Sequence, residues 1–180
     1  MSRLLEEFHT KISSQLKEQL KVANLHAVPR VKKIVVNTGI GRILQQNPKA
    51  LDRLVETMAK ITGQKPMVTR AKKAISGFKV REGQVVGLAV TLRHKRMYDF
   101  LDRLINVALP RTRDFRGLPR SGFDRRGNYN CAVQEVMVFP EAGESGIEGN
   151  FGMQVTIVTT ANDDTSAYSL LKKFGFPFKD

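Results

Sequence analysis

PMVTRAKKAISGFKVREGQVVGLAVTL (Pro66–Leu92) holds a short strand, a long basic loop and a returning strand, and this reading decides the fold. Pro66–Thr69 and Val85–Leu92 (VVGLAVTL) are short and rich in β-branched residues, whereas the residues between them are mostly polar, small or glycine. Two strands joined without an intervening helix pair antiparallel, so the loop becomes the tip of a ribbon. From Arg70 to Arg81 that tip holds five cations and no acid. Gly77 and Gly83 leave its backbone free to follow an irregular surface, and Ile75 and Phe78 can stack or wedge. The cations suit phosphate oxygens, so the loop calls for an anionic partner. A solvated surface loop is the plainer account of the same charge run.

Working outward, Asn47-Pro48 supplies a cap and a first helical residue; Leu51, Leu54, Val55 and Met58 follow at helical spacing, and Gly63 closes the element. Before it, Val31–Ile40 (VKKIVVNTGI) reads as a strand with Lys33, Val35 and Asn37 on one face and Ile34, Val36 and Thr38 on the other. Leu5, Phe8, Ile12, Leu16 and Leu20 predict an opening amphipathic helix from about Ser2 to Lys21. Downstream, Met97, Phe100, Leu101, Leu104, Ile105 and Ala108 mark a helix ended by Pro110. Arg111–Gly127 is a long connection with six arginines among residues 111–126, a length that points to a functional loop or one that orders on a partner. Two strands follow, Asn128–Phe139 and Met153–Thr160, separated by the glycine-rich, acidic loop Pro140–Gly152. Asn162, Asp163 and Asp164 start a last helix with Ala167, Leu170, Leu171 and Phe174 as its apolar face and Gly175 after it. The pattern predicts one α+β domain over residues 1–180, with a largely antiparallel sheet and helices packed on one face.

The chain of 180 residues carries a formal charge of +13, beyond what solubility needs, and such a field attracts polyanions, nucleic acid before membrane. Residues 1–133 hold 27 of the 30 cations and 10 of the 17 acids, so the basic surface belongs to the first three quarters. No apolar run approaches the length of a spanning helix, the N-terminus lacks a secretory pattern, and the single Cys131 cannot form an internal disulfide, which together predict a cytosolic protein.

Catalytic chemistry finds little support. Gly39-Ile40-Gly41 after a strand has the start of a dinucleotide loop, but Leu44 stands where a third glycine is needed, and a turn at positive φ accounts for both glycines. His9, His26 and His94 are scattered and share no ligand spacing with Cys131, so neither a metal nor a cofactor is expected. Asp163 and Asp164 fit helix capping better than paired acid–base work. What accumulates instead is RNA-binding chemistry. Lys33, Asn37, Gln64, Lys65, Thr91 and Arg93 lie on extended segments and mix charge for phosphates with amides and a hydroxyl able to bond a ribose 2′-OH or exposed base edges. The competing account is that Asn37 and Thr91 merely satisfy neighbouring backbone. Two other classes stay open at this level: a nucleotide-dependent enzyme using the Gly39–Gly41 turn, and a module that binds acidic proteins.

PRVKKIVVNTGIG (Pro29–Gly41), TGQKPMVTRAKKAISGFKVREG (Thr62–Gly83), LDRLINVALPRTRDFR (Leu101–Arg116) and GMQVTIVTTA (Gly152–Ala161), in this order, resemble the bacterial type of large-subunit ribosomal protein five over nearly the whole chain. The resemblance implies a five-stranded antiparallel sheet, binding to 5S rRNA, a place with the large-subunit rRNA in the central protuberance, contact with P-site tRNA, and a bridge to small-subunit ribosomal protein thirteen. By position, Asn37, Gln64 and Thr91 match the family's polar contacts to 5S rRNA, with Lys33, Lys65 and Arg93 as phosphate partners. The loop residues Arg70, Lys72, Lys73, Ser76, Gly77, Phe78, Lys79 and Arg81 match the segment that reaches tRNA. For the bridge, Arg111 and Arg113 and the acids Glu141 and Glu144 are the expected residues, because acids suit a basic small-subunit protein.

Overall fold

A computed structural model of the chain describes residues 2–143 and 151–179. Among them are the strands β1 (Val31–Gly39), β2 (Met67–Arg70), β3 (Val85–Leu92), β4 (Tyr129–Val133) and β5 (Met153–Thr159). The α-helices are α1 (Arg3–Glu7), α2 (Ser13–Gln19), α3 (Gly41–Gln46), α4 (Leu51–Thr62), α5 (His94–Arg103), α6 (Pro140–Gly143) and α7 (Asp164–Lys173). The strands form one antiparallel sheet in the order β2-β3-β1-β5-β4, and the fold is α+β. The chain gathers into two compact units, Met1–Val35 with Leu92–Cys131 and Val155–Asp180, and Val36–Thr91 with Ala132–Gln154.

In the first unit, α1 and α2 are joined by a π-helical turn, Phe8–Ile12, with helical backbone throughout. Leu4, Phe8, Ile12 and Leu16 are buried there at strict steps of four. In a uniform α-helix each such step drifts by about 40°, and the wider turn takes that drift back, so one face stays buried. The buried stripe therefore begins at Leu4, not at Leu5 as the spacing alone suggested. Arg3 pairs with Asp102 at 2.6 Å, and Phe8 stacks on Phe174 with ring centroids 5.8 Å apart, tying the opening helix to α5 and to the end of α7.

The connection 111–127 is packed against its own unit. Leu118 donates to the Pro177 carbonyl at 2.8 Å, and Lys179 donates back to Leu118 at 2.9 Å. The Asp124 carboxylate accepts the N–H groups of Arg126 and Asn128 at 2.9 and 3.0 Å, and Asp164 accepts those of Arg125 and Gly127 at 3.1 and 3.0 Å. Of the two adjacent aspartates, then, Asp163 caps α7 by accepting from Ser166 N–H at 2.9 Å, while Asp164 bolts the arginine-rich loop. Hydrogen bonds from the Thr165 and Ser166 side chains hold the Asp163 carboxyl below its usual range.

In the second unit, Val36 and Thr38 of β1 and Leu88 and Val90 of β3 are buried, as are Leu54, Met58 and Ile61 of α4. Gly63 ends α4 at φ +69°, the left-handed conformation that favours glycine. The ribbon expected from the sequence is present: Met67 faces Ala89, Val68 faces Leu88 and Thr69 faces Gly87, with the register slipping between Thr69 and Arg70. At Gly87 a Cβ would lie 2.7 Å from the Thr38 carbonyl oxygen and 3.0 Å from Thr69 Oγ1, so only glycine lets the backbones approach this closely.

The predicted strand Asn128–Phe139 is half as long in the structure. β4 ends at Val133, and Val136–Val138 forms a 3₁₀ turn anchored by Val136 N–H on the Phe151 carbonyl at 3.0 Å. Val136, Val138 and Phe139 are all buried, a grouping that strand alternation cannot supply and a turn can. Helices α3 and α6 are two short elements that periodicity did not predict, since four to six residues carry no readable helical period.

Cys131 is 6 % exposed, and its sulfur lies 3.7 Å from the Val155 carbonyl. Burial pushes the thiol up to about 12. Iodoacetamide at pH 8 is expected to leave Cys131 unmodified in the native protein and to label it fully in denaturant; native-state labelling at a free-thiol rate would refute this burial.

Candidate nucleic-acid interface

Along β1 the alternation Ile34, Val36, Thr38 inward leaves Lys33, Val35 and Asn37 on the opposite side, as the pleat demands. Thr38, on the buried side, donates its hydroxyl to the Gly152 carbonyl at 2.6 Å. Asn37 and Thr91 are both exposed, and among the described residues neither side chain has an intramolecular hydrogen-bond partner. Neighbouring backbone does not absorb their polar groups. Gln64 sits in the turn after α4 and donates its amide to the Thr91 carbonyl at 3.3 Å, which brings Gln64 and β3 together. Lys65 follows it and is exposed, and Arg93 directly succeeds β3. Among the described residues Lys33, Lys65 and Arg93 have no carboxylate partner, so their charge is not neutralised within the protein. Asn37, Gln64, Lys65 and Thr91 belong to the second unit and Lys33 and Arg93 to the first.

Asn37 also borders an open groove of about 450 Å³ within the second unit, lined in addition by Thr69, Gly87, Gln134, Gly152 and Gln154. Gln134 and Gln154 were not singled out from the sequence. Gln154 could have been, because it occupies an outward position in the alternation of Met153, Val155 and Ile157. Gln134 could have been too, because the predicted strand Asn128–Phe139 puts it opposite Tyr129, Cys131 and Val133, although in the structure it follows the end of β4.

The basic loop is closed at its base and open at its tip. Ala71 donates to the Gln84 carbonyl at 2.8 Å and Gly83 to the Ala71 carbonyl at 2.9 Å, and the Arg70 guanidinium donates to the Gly83 carbonyl at 3.0 Å. Arg70 therefore braces the stem. Ile75 pairs with Val80, and Ser76, Gly77 and Phe78 make a 3₁₀ turn ended by Lys79 at φ +52°. Gln45 of α3 reaches the Phe78 carbonyl at 3.3 Å, while the Phe78 ring is 73 % exposed and Ile75 51 %. Lys72, Lys73, Lys79 and Arg81 are exposed, without a carboxylate partner among the described residues. Two exposed large apolar side chains on a loop with four exposed cations suit bases and phosphates together.

Arg111 and Arg113 are exposed in the turns after the helical run that continues α5, in the first unit. Glu141 lies on α6 in the second unit and is partly buried, so it is a helix residue and not part of a free acidic loop. Glu144 lies outside the described residues. Gly39 and Gly41 both keep negative-φ or extended backbone, so the positive-φ turn expected there is not what selects them. A Cβ on Gly39 would meet nothing, and one on Gly41 would make ordinary contact with Val86 at 3.7 Å. The six-residue α3 that follows is also a poor cradle for a dinucleotide. Among the described residues no three His, Cys, Asp or Glu side chains cluster to hold a metal, and no helix is long and apolar enough to cross a membrane.

The architecture is thus that of a basic α+β protein with a polar extended surface and a cationic ribbon tip. Residues 24–81 match the family model described as ribosomal protein L5, and residues 85–178 match that of the ribosomal L5P family C-terminus. The chain is 54% identical over 178 residues to large ribosomal subunit protein uL5 of Acidobacterium capsulatum, covering 99% of this chain and 97% of that one. It is 51% identical to the uL5 protein of Chloroflexus aggregans (99% and 98% covered) and 50% identical to that of Geobacter sulfurreducens (99% of each). The chain belongs to the L5 family of ribosomal proteins. Its role is structural, in the large subunit of the bacterial, cytoplasmic ribosome, and it is not an enzyme.

Proposed function

We propose that this protein binds 5S rRNA, helps to attach it to the large-subunit rRNA in the central protuberance, contacts P-site tRNA through the basic loop, and bridges to small-subunit ribosomal protein thirteen. The observation that carries the 5S reading is the pair Asn37 and Thr91, exposed on extended backbone with no intramolecular partner. Their polar groups are available to ribose hydroxyls and base edges, while Lys33, Lys65 and Arg93 supply phosphate contacts. The tRNA reading rests on a stem braced at Arg70, Ala71, Gly83 and Gln84, beyond which Lys72, Lys73, Phe78, Lys79 and Arg81 are exposed, with Ser76 and Gly77 at the turn. For the bridge, Arg111, Arg113, Glu141 and Glu144 are the residues to vary.

A gel-shift titration with 5S rRNA against an unrelated RNA of equal length tests the first part. Asn37→Ala is expected to cost about 1–3 kcal/mol of 5S affinity, the range for leaving a desolvated partner unpaired. Unchanged affinity in both Asn37→Ala and Thr91→Ala would remove this face from the contact. Lys72→Glu/Lys73→Glu is expected to keep 5S affinity within about threefold, because the loop is assigned to a different RNA, while weakening P-site tRNA binding to reconstituted ribosomes. A large loss of 5S affinity in that variant would move the loop to the rRNA contact.

A further inference from the structure

A second groove, of about 420 Å³, lies wholly within the first unit and shares only Arg93 with the proposed 5S and tRNA contacts. Its rim carries four permanent cations, Arg30, Lys32, Arg93 and Lys95, and two imidazoles, His9 and His94. No carboxylate lines it. All six rim side chains are exposed, and none has an acidic partner among the described residues. Its floor is apolar, made by Leu5, Phe8, Val31, Met97 and Tyr98. Arg30 and Tyr98 both line the groove, Arg30 exposed and Tyr98 buried.

Two features separate this groove from an ordinary basic patch. Uncompensated cations normally spread over a solvated surface, whereas these surround a concavity within the size range of small-ligand pockets, about 300–1,000 Å³. His94 also holds φ +51°, a left-handed backbone that is costly for a residue with a Cβ, where the chain turns from β3 into α5. That turn sets Arg93, His94 and Lys95 on the rim together while Met97 and Tyr98 reach the floor. A cationic rim over an apolar, partly aromatic floor matches a phosphorylated nucleoside, with phosphate outside and base inside.

We propose that this groove is a second RNA site, which seats one unstacked nucleotide of a single-stranded rRNA segment, its flanking phosphates on Arg30, Lys32 and Lys95 and its base against Leu5 and Phe8. A paired base cannot reach the floor, so the site selects loops, bulges or ends over duplex. The variants that test the groove leave Arg93, Asn37 and Thr91 in place, so this site and the 5S contact can fail separately.

The test uses the full chain and a fluorescent single-stranded RNA decamer, read by anisotropy, with 5S rRNA and free uridine monophosphate as separate arms. Lys32→Glu/Lys95→Glu is expected to weaken the decamer about tenfold or more, because two phosphate contacts become repulsive. Lys49→Glu/Lys179→Glu, with the same net charge, should cost less than about threefold, and melting curves check that both variants fold. Equal losses in the two variants would reduce the groove to bulk charge and overturn the proposal. Uridine monophosphate binding as tightly as the decamer would indicate a free-nucleotide site and also overturn it. Decamers carrying 4-thiouridine should crosslink to Leu5 or Phe8, and crosslinks confined to the basic loop or to the strands bearing Asn37 and Thr91 would refute the site. The Asn37→Ala result with 5S rRNA stands apart from all of these outcomes.

Discussion

Affinity for 5S rRNA is expected to fall about 40-fold as monovalent salt rises from about 50 to 200 mM, a log–log slope near −2.7. The figure follows from three assigned phosphate partners, Lys33, Lys65 and Arg93, each releasing close to one condensed counterion from the RNA. None of the three has a carboxylate partner among the described residues, so no internal ion pair has to break first and the full release counts toward binding. Were the five cations of the loop also seated on 5S rRNA, eight contacts would steepen the slope to about −7 and the loss to about ten-thousand-fold. The slope therefore separates a 5S contact confined to the strands and their flanks from one that includes the ribbon tip. A slope near zero would remove the electrostatic contact altogether.

Tyr129→Ala is expected to destabilise the protein by about 4 kcal/mol, in the range for deleting a fully buried aromatic side chain. The Tyr129 side chain is fully buried in the first unit, and its ring meets those of Phe123, Phe176 and Phe178 at 4.7, 6.1 and 5.4 Å between centroids. Its hydroxyl donates to the Pro119 carbonyl at 2.9 Å. Truncation opens a cavity among three rings and also releases the arginine-rich connection that those rings pin. Tyr129→Phe keeps the ring and loses only the bond to Pro119, so about 1 kcal/mol is expected. Chemical denaturation separates the two variants. Limited trypsin digestion adds a local readout, since cleavage after Arg116, Arg120 or Arg125 should accelerate in Tyr129→Ala and hardly change in Tyr129→Phe. Equal stability of both variants with wild type would refute the ring cluster as the anchor of this loop.

Against a total stability of about 5–15 kcal/mol for an ordinary domain, the Tyr129→Ala loss is large, and it falls where sequence reading pointed elsewhere. Six arginines in a long connection read as a functional loop or as one that orders on a partner. Its own carboxylates and rings order it instead, because Asp124, Asp164, Tyr129 and Phe178 lie at its ends or far along the chain. Contacts between residues 39 and 37 positions apart leave no local signature.

Some of the candidate site was legible because it depends only on local rules. Period-two alternation put Lys33 and Asn37 opposite Ile34 and Val36, and glycine and charge content marked the ribbon tip. The helix from Leu51 to Gly63 followed from its cap, its spacing and its terminal glycine, all short-range effects.

What only tertiary structure decided is which polar groups remain unused. Asn37 and Thr38 are adjacent and each can both donate and accept a hydrogen bond, yet the Thr38 hydroxyl is consumed by Gly152 while Asn37 stays open. Likewise Arg70 is spent on its own stem, whereas Lys72 and Lys73 face solvent. The two clefts and their linings arise from segments distant in sequence, so no window of residues contains them. Backbone periodicity is set by neighbours along the chain and can be read from it, but the satisfaction of a hydrogen bond or a charge depends on what folding brings across from elsewhere.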